Sequence, residues 1–249
     1  MSFRKRVGQV IEKSDIIIEI LDVRFPVICR NIGLEKKILE AGKKLVFVLN
    51  KSDLVSKNQS ERIKKRFAEN ERVVFVSART KAGIGMLRRT IKEISKGEKV
   101  TVGIIGYPNN GKSSVINALR GKKVTKTSIK AGLTRGEQLI KLDKNVMLID
   151  TPGVIPFDVR DEAKLVMMCA KSAERISDVE GAALGVLEML IENYPEALEK
   201  RYGVELSDEA YDMLEKIALK KKKLIGKGEP DLHNTAKIII LDWQKGKIK

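Results

Sequence analysis

Histidine occurs once and cysteine twice in this 249-residue chain, and aromatic residues make up only 4%. One histidine cannot supply a His-based triad for more than a single role, and Cys29 and Cys169 stand far apart with no metal-ligand spacing. With no cysteine cluster either, a His-based triad and a structural zinc site are not expected. The two thiols are expected to stay reduced, as in a reducing compartment. His233 falls near the start of a C-terminal helical pattern, where a capping or surface role is expected. Long apolar runs are also missing: none reaches the ~18 residues that span a bilayer. Met1-Ser2-Phe3-Arg4-Lys5-Arg6 is basic but has no long apolar core and no cleavage site. The expectation is a cytoplasmic chain with no membrane partner.

Acidic residues are in short supply overall, but unevenly so. The net charge is +16. Residues 1–153 hold 33 Lys+Arg against 15 Asp+Glu, residues 154–215 hold 6 against 15, and residues 216–249 hold 10 against 3. A basic first part, an acidic middle and a basic tail follow one another. Basic ends of this kind imply a polyanionic partner, most often RNA in the cytosol. Solvated lysine on a heat-tolerant protein is the competing explanation.

What the chain does have is 43% hydrophobic residues, enough for a packed core. Six short runs rich in Val and Ile, at 16–21, 44–49, 72–76, 100–105, 138–142 and 146–149, read as buried strands. Helix-like segments lie between them at 33–41, 59–70, 85–95 and 112–119, and residues 2–13 form a basic amphipathic pattern ahead of the first strand. The alternation predicts an α/β domain with a mostly parallel six-stranded sheet. After Gly153 the period becomes helical: Leu165, Met168, Cys169, then Ala182, Val186, Leu187, Leu190, then Leu214, Ile217, Ala218. A last helix is expected near 232–244, capped by Asp231. The reading is two domains, 1–156 and 157–249, the second all-α.

Gly106-Tyr107-Pro108-Asn109-Asn110-Gly111-Lys112-Ser113 fits G-x-x-x-x-G-K-S, with an apolar strand before it and a helix pattern after it. Its glycines let backbone N–H groups turn inward around phosphates, and the helix N-terminus adds positive potential. Lys112 would reach the β- and γ-phosphates, Ser113 would ligate Mg²⁺, and Asn109, Asn110, Gly111 and Ser114 complete the nucleotide-binding run. Asp150-Thr151-Pro152-Gly153 follows the strand at 146–149. Asp150 could hold a Mg²⁺-bound water, and the Gly153 N–H could sense the γ-phosphate. Between the two motifs, Thr134 is favoured over Thr125 and Thr127 as the threonine that completes the Mg²⁺ shell, because it precedes the next strand.

Asn50-Lys51-Ser52-Asp53 directly follows the strand at 44–49. The Asp53 carboxylate can accept from guanine N1–H and N2–H₂. Adenine lacks that donor pair, which would leave the carboxylate unpaired at a cost of about 1–3 kcal/mol or more. Asn50 would bind N7 and brace neighbouring loops, and the Lys51 stem would cover the base. Ser77-Ala78 ends the next strand, and the Ala78 N–H can donate to guanine O6. Together the motifs select GTP over ATP. A P-loop kinase is disfavoured, since it would leave 50–53 without a task.

The guanine reader here precedes the phosphate loop, reversing the usual order. In that order, 50–53, 77–78, 106–113, Thr134, 150–153, the chain resembles the circularly permuted GTPases of the YlqF/YawG family. Flanking strings agree: Asp22-Val23-Arg24-Phe25-Pro26 with Arg30-Asn31, Gly132-Leu133-Thr134, Gly228-Glu229-Pro230-Asp231 and 242–247. The resemblance implies a Ras-like P-loop GTPase domain with permuted motifs, a helical C-terminal domain, GTP and GDP as substrate and product, and Mg²⁺. It further implies a monomeric switch acting on the large ribosomal subunit and its rRNA. No glutamine follows Gly153, where Val154, Ile155 and Pro156 stand, matching a hydrophobic substitution described for the family. Asn109 matches the asparagine of K⁺-activated relatives, which implies a slow intrinsic hydrolysis raised by K⁺ and by the ribosomal particle. In that scheme Lys112, Thr134, Gly153 and Asn109 carry the reaction; a purely structural loop bond is the other role open to Asn109. A GTPase for small-subunit assembly or another RNA step, and a GTP-gated RNA-binding module with negligible turnover, stand as alternatives. RNA contact is expected first at the lysines of 216–227 and 237–249, then at the amino-terminal helix.

Overall fold

The computed structural model describes residues 3–121, 138–150 and 162–248. It divides into two compact units, Met1–Pro156 and Phe157–Lys249. The expected switch positions Thr125, Thr127, Thr134 and Gly153, with residues 154–156, lie outside the described residues.

The first unit carries β1 (Ile16–Asp22), β2 (Lys44–Asn50), β3 (Arg72–Phe75), β4 (Val100–Ile105), β5 (Gln138–Lys141) and β6 (Val146–Asp150). They form one six-stranded sheet in the order β3-β2-β1-β4-β6-β5. All neighbours are parallel except β5, which pairs antiparallel with β6 at the edge. The sheet was expected from its apolar runs, and each strand lies within a residue of the expected bounds. Strand continuity in Val and Ile explains this accuracy, since both faces of a parallel sheet are covered. On one face Ile16, Ile18, Ile20, Val46, Val48, Val102 and Ile104 pack with Leu87, Ile91, Val115 and Leu119 of α5 (Ile84–Ser95) and α6 (Lys112–Arg120). The opposite face is covered by α1 (Phe3–Lys13), α2 (Pro26–Cys29) and α3 (Ile32–Glu40).

The helix expected at 59–70 is instead α4 (Lys57–Lys64). It begins early because Ser56 and Gln59 close a reciprocal capping box, with Ser56 N–H donating to Gln59 Oε1 at 2.7 Å and Gln59 N–H to Ser56 Oγ at 3.2 Å. It ends early because Phe67 turns inward to meet Phe47 at 5.4 Å between ring centroids. The short α2 was not foreseen; Pro26 at its first turn pre-sets the helical φ.

The second unit is helical among its described residues: α7 (Glu162–Met167), α8 (Val179–Asn193), α9 (Pro195–Tyr202), α10 (Ala210–Lys220) and α11 (Leu232–Gln244). α8 sits centrally and packs on α7, α9, α10 and α11. Trp243 is buried, and its indole N–H donates to the Met167 carbonyl at 3.1 Å. Asp242, also buried, accepts from Arg201 at 2.7 Å. Asp231 caps α11 as expected, its Oδ1 accepting from Asn234 N–H at 3.0 Å. His233 is exposed beside Glu180, in keeping with a surface role. Among the described residues no helix is long and apolar enough to cross a membrane.

Candidate nucleotide-binding site

Strand order reverses between β1 and β4, and the crevice beyond the carboxyl ends of strands at such a point is where α/β sheets bind ligands. The sequence motifs converge there. The phosphate loop leaves β4 and enters α6, so Gly111 caps the helix and Lys112 and Ser113 occupy its first positions. The 50–53 motif leaves β2, and Ser77-Ala78 follows β3, which stops at Phe75 rather than continuing to Val76. In the register of β4 with β6, Ile104 lies opposite Asp150, so the acidic motif begins beside the strand that feeds the loop.

One side chain joins three of these motifs. Asn50 Nδ2 donates to the Asn110 carbonyl at 2.8 Å, and its Oδ1 accepts from Ala78 N–H at 3.1 Å. Asn50 thus bridges the phosphate loop and the segment after β3, and it is itself 3% exposed. Asn110 extends the brace inward: its Nδ2 donates to the Ile20 carbonyl of β1 at 3.0 Å, and the Cys29 thiol lies 3.9 Å from its Oδ1. Gly111 must be glycine on two counts. Its φ is +89, and a Cβ there would collide with the Asn50 amide. Gly106, at φ +140, likewise leaves no room against the Ile20 carbonyl. The glycines of the loop therefore serve close packing onto β1 and β2.

Lys112 is buried, and its ammonium donates to the carbonyls of Gly106 at 2.8 Å and Tyr107 at 2.6 Å. The loop's own oxygens hold the positive charge inside the loop. Asn109, at φ +61, is exposed at the rim. Ser113 and Ser114 are exposed on the first turn of α6.

At the base end Asp53 is only 14% exposed. Its Oδ1 accepts from Ser77 Oγ at 2.5 Å, and its Oδ2 accepts from Arg79 Nε at 3.0 Å and Nη2 at 2.6 Å. Burial would raise its pKa, but the bonds from Ser77 and Arg79 outweigh burial and hold it below the usual carboxylate range. Arg79 was missed in the sequence, although a cation two residues after Ser77 was a visible signal. Its Nε and Nη2 donors both converge on Oδ2, leaving Oδ1 to Ser77.

Asp22 was quoted only as part of a resembling string. The β1–β2 register sets it opposite Asn50. Fully buried, it takes Arg24 Nη2 at 2.8 Å and Lys51 Nζ at 2.7 Å. Burial would raise its pKa; Arg24 and then Lys51 overcome this and lower it. Lys51 has φ +65, a left-handed backbone that this tether holds in place. Its stem is thereby fixed at the base end.

A family model described as "50S ribosome-binding GTPase" matches residues 101–225, and one described as "RsgA GTPase" matches residues 34–160. An uncharacterized GTP-binding protein of Methanocaldococcus jannaschii is 45% identical over 98% of this chain and 65% of its own length. Nuclear/nucleolar GTPase 2 of Oryza sativa is 35% identical over 96% of this chain and 46% of its own. Nucleolar GTP-binding protein 2 of Yarrowia lipolytica is 36% identical, again over 96% and 48%. The chain thus spans between about a third and two thirds of the length of the curated relatives it matches. Among solved structures, GDP-bound YlqF from T. maritima superposes with a TM-score of 0.69 at 23% identity, covering 97% of this chain and 95% of that one. The GNP-bound form gives 0.67, also at 23% identity, over 98% and 94%. That likeness establishes the fold.

Proposed function

The chain belongs to the 50S ribosome-binding GTPases in their circularly permuted form, and from that membership we propose that it binds and hydrolyses GTP as a switch in large-subunit assembly. The observation that carries the nucleotide reading is the Asn50 bridge, which ties the base-reading corner to the phosphate loop through bonds of 2.8 and 3.1 Å. Asp53 would read guanine, with Ala78 N–H and Asn50 beside it. Lys112 and the N–H groups of 109–114 would hold the phosphates. The donor set suits Mg²⁺: the Ser113 hydroxyl is a hard oxygen ligand, the Asp150 carboxylate would hold a water on the ion, and the β4–β6 register supports bringing their segments together. Thr134 and Gly153 would complete the switch. When bound, the ion would neutralise charge developing on the β- and γ-phosphates.

Hydrolysis is proposed to be slow without help, since the chain offers Val154, Ile155 and Pro156 where a water-orienting glutamine would stand. The exposed Asn109 would hold K⁺ against the phosphates and supply positive charge. Phosphate release should therefore be faster in KCl than in NaCl, and Asn109→Asp should remove the difference. GTP hydrolysis would reset the particle-bound state through the 154–158 connection, and a flexible insert after Pro156 should uncouple release from hydrolysis while leaving nucleotide affinity intact. The family description, "50S ribosome-binding GTPase", supports a ribosomal partner, as do the basic flanks of this chain. Cytoplasmic location and action as a monomer complete the proposal.

Co-sedimentation with ribosomal subunits under GTP analogue, GDP and no nucleotide tests the switch. Analogue-dependent pelleting with the large subunit is expected. Pelleting with the small subunit, or indifference to nucleotide, would contradict it.

A further inference from the structure

The segment between α10 and α11 is exposed yet firmly shaped. Residues 222–229 are all exposed. Their backbone is nevertheless pinned at both ends. Lys223 N–H donates to the Ala218 carbonyl at 2.9 Å across Lys222, whose φ of +52 closes the end of α10. Ile225 N–H donates to Glu229 O at 2.8 Å, Gly228 N–H to Ile225 O at 3.1 Å and Asp231 N–H to Lys223 O at 2.9 Å. Leu224 and Pro230 form an antiparallel bridge. The result is a small hairpin with its tip at 226–228.

Its sequence does not fit a connector whose only task is to join two helices. Lys222 and Lys227 both take left-handed φ, +52 and +67, which costs a lysine about 1 kcal/mol where glycine would not strain. Leu224 and Ile225 are 47% and 53% exposed, so the hairpin orders two large apolar side chains without burying them. Five lysines against one glutamate occupy residues 220–230. A rigid apolar pair ringed by cations matches a polyanion that also offers apolar faces. RNA has both: phosphates for the lysines, and the faces of unstacked bases for Leu224 and Ile225.

We propose that the 222–230 hairpin is a preformed RNA-docking element in which Lys222, Lys223 and Lys227 grip the backbone and Leu224–Ile225 contact unstacked bases. This rests on the RNA-partner reading and adds to it a contact that salt does not screen.

The test compares the wild-type chain, Leu224→Ser/Ile225→Ser and Lys222→Ala/Lys223→Ala/Lys227→Ala for binding to purified ribosomal RNA and to a fully paired RNA duplex, over a salt series. All five altered side chains are exposed, so thermal midpoint and GTP affinity should hold in both variants. The serine pair should weaken ribosomal-RNA binding about tenfold, with the salt slope unchanged and little effect on the duplex. The alanine triple should lower the salt slope by about two to three on both RNAs. Wild-type RNA affinity in the serine pair would overturn the proposal. So would intact RNA binding with lost particle binding, which would assign the apolar pair to a ribosomal protein. Failure of the wild-type chain to bind either RNA would instead refute the underlying RNA reading.

Discussion

The phosphate end and the base end of the nucleotide groove are held by different means. At the phosphate end the charged group is a lysine only 6% exposed, fixed by two carbonyls of its own loop. At the base end the charged group is a carboxylate, and its partner Arg79 is 72% exposed. The first arrangement keeps its cation where phosphate oxygens would arrive. The second engages the carboxylate with an arginine that would have to leave Oδ2 for a base to bind there. With Arg79 largely in solvent the pair is worth about 1 kcal/mol, so guanine would displace it at little cost. On the proposed reading, the phosphate end would therefore be the rigid source of affinity, and the base end the exchangeable source of selectivity.

Removing the buried cation should have the largest effect. Lys112→Ala is expected to weaken GTP about a hundredfold in a fluorescent-nucleotide titration, in line with charged hydrogen bonds of about 1.5–3 kcal/mol. A loss below threefold would break the contrast between the two ends. Asp53→Asn should cost GTP about thirtyfold while xanthosine triphosphate binding rises, because the amide presents a donor where guanine also donates. Equal losses for both nucleotides would mean that Asp53 is structural.

Asp22 sharpens the comparison, since it anchors Lys51 from beneath. Its folded pKa is lowered, so its stabilisation is complete above the unfolded value of about 3.9 and disappears as pH falls through the folded value. The Asp22 contribution to the thermal midpoint, read as the difference between wild type and Asp22→Asn, should hold from neutral pH to about 4 and shrink below it. Asp22→Asn should lower the neutral midpoint by about 10 °C, because Arg24 and Lys51 lose a buried counterion, and should flatten the acid fall. The smallest effect is expected for Arg79→Ala. GTP should bind about two- to fivefold tighter, and the gain should shrink as salt screens the pair in the wild type. Weaker binding would show that Arg79 supports the base instead of standing in for it.

The strands and the motifs were legible because each is local. Valine and isoleucine runs mark buried strands, and a glycine-lysine-serine turn between strand and helix marks a phosphate loop. Features that depend on register were not legible. Asp22 acquires its role only because β1 and β2 align it with Asn50. Glu19 interrupts an apolar strand, and nothing nearby in sequence explains it. In the fold its Oε1 accepts from Asn31 N–H at 3.2 Å, while burial and then Glu35 push its pKa well up. Arg30, placed by resemblance alone, proves to tie Glu35 and Glu71 together at 2.6 Å each and to lie over the Phe47 and Phe67 rings. The α4 boundary failed for a related reason, since a tertiary contact of Phe67 ends a helix that the periodicity would prolong.

Competition between labelled GDP and unlabelled GTP or ATP on the wild-type chain tests the shared pocket most directly. GTP should displace the label at concentrations at least tenfold below those needed for ATP, given the 1–3 kcal/mol or more at stake in an unpaired carboxylate. Equal displacement by the two nucleotides would contradict a pocket in which Asp53 reads the base of the molecule whose phosphates Lys112 holds.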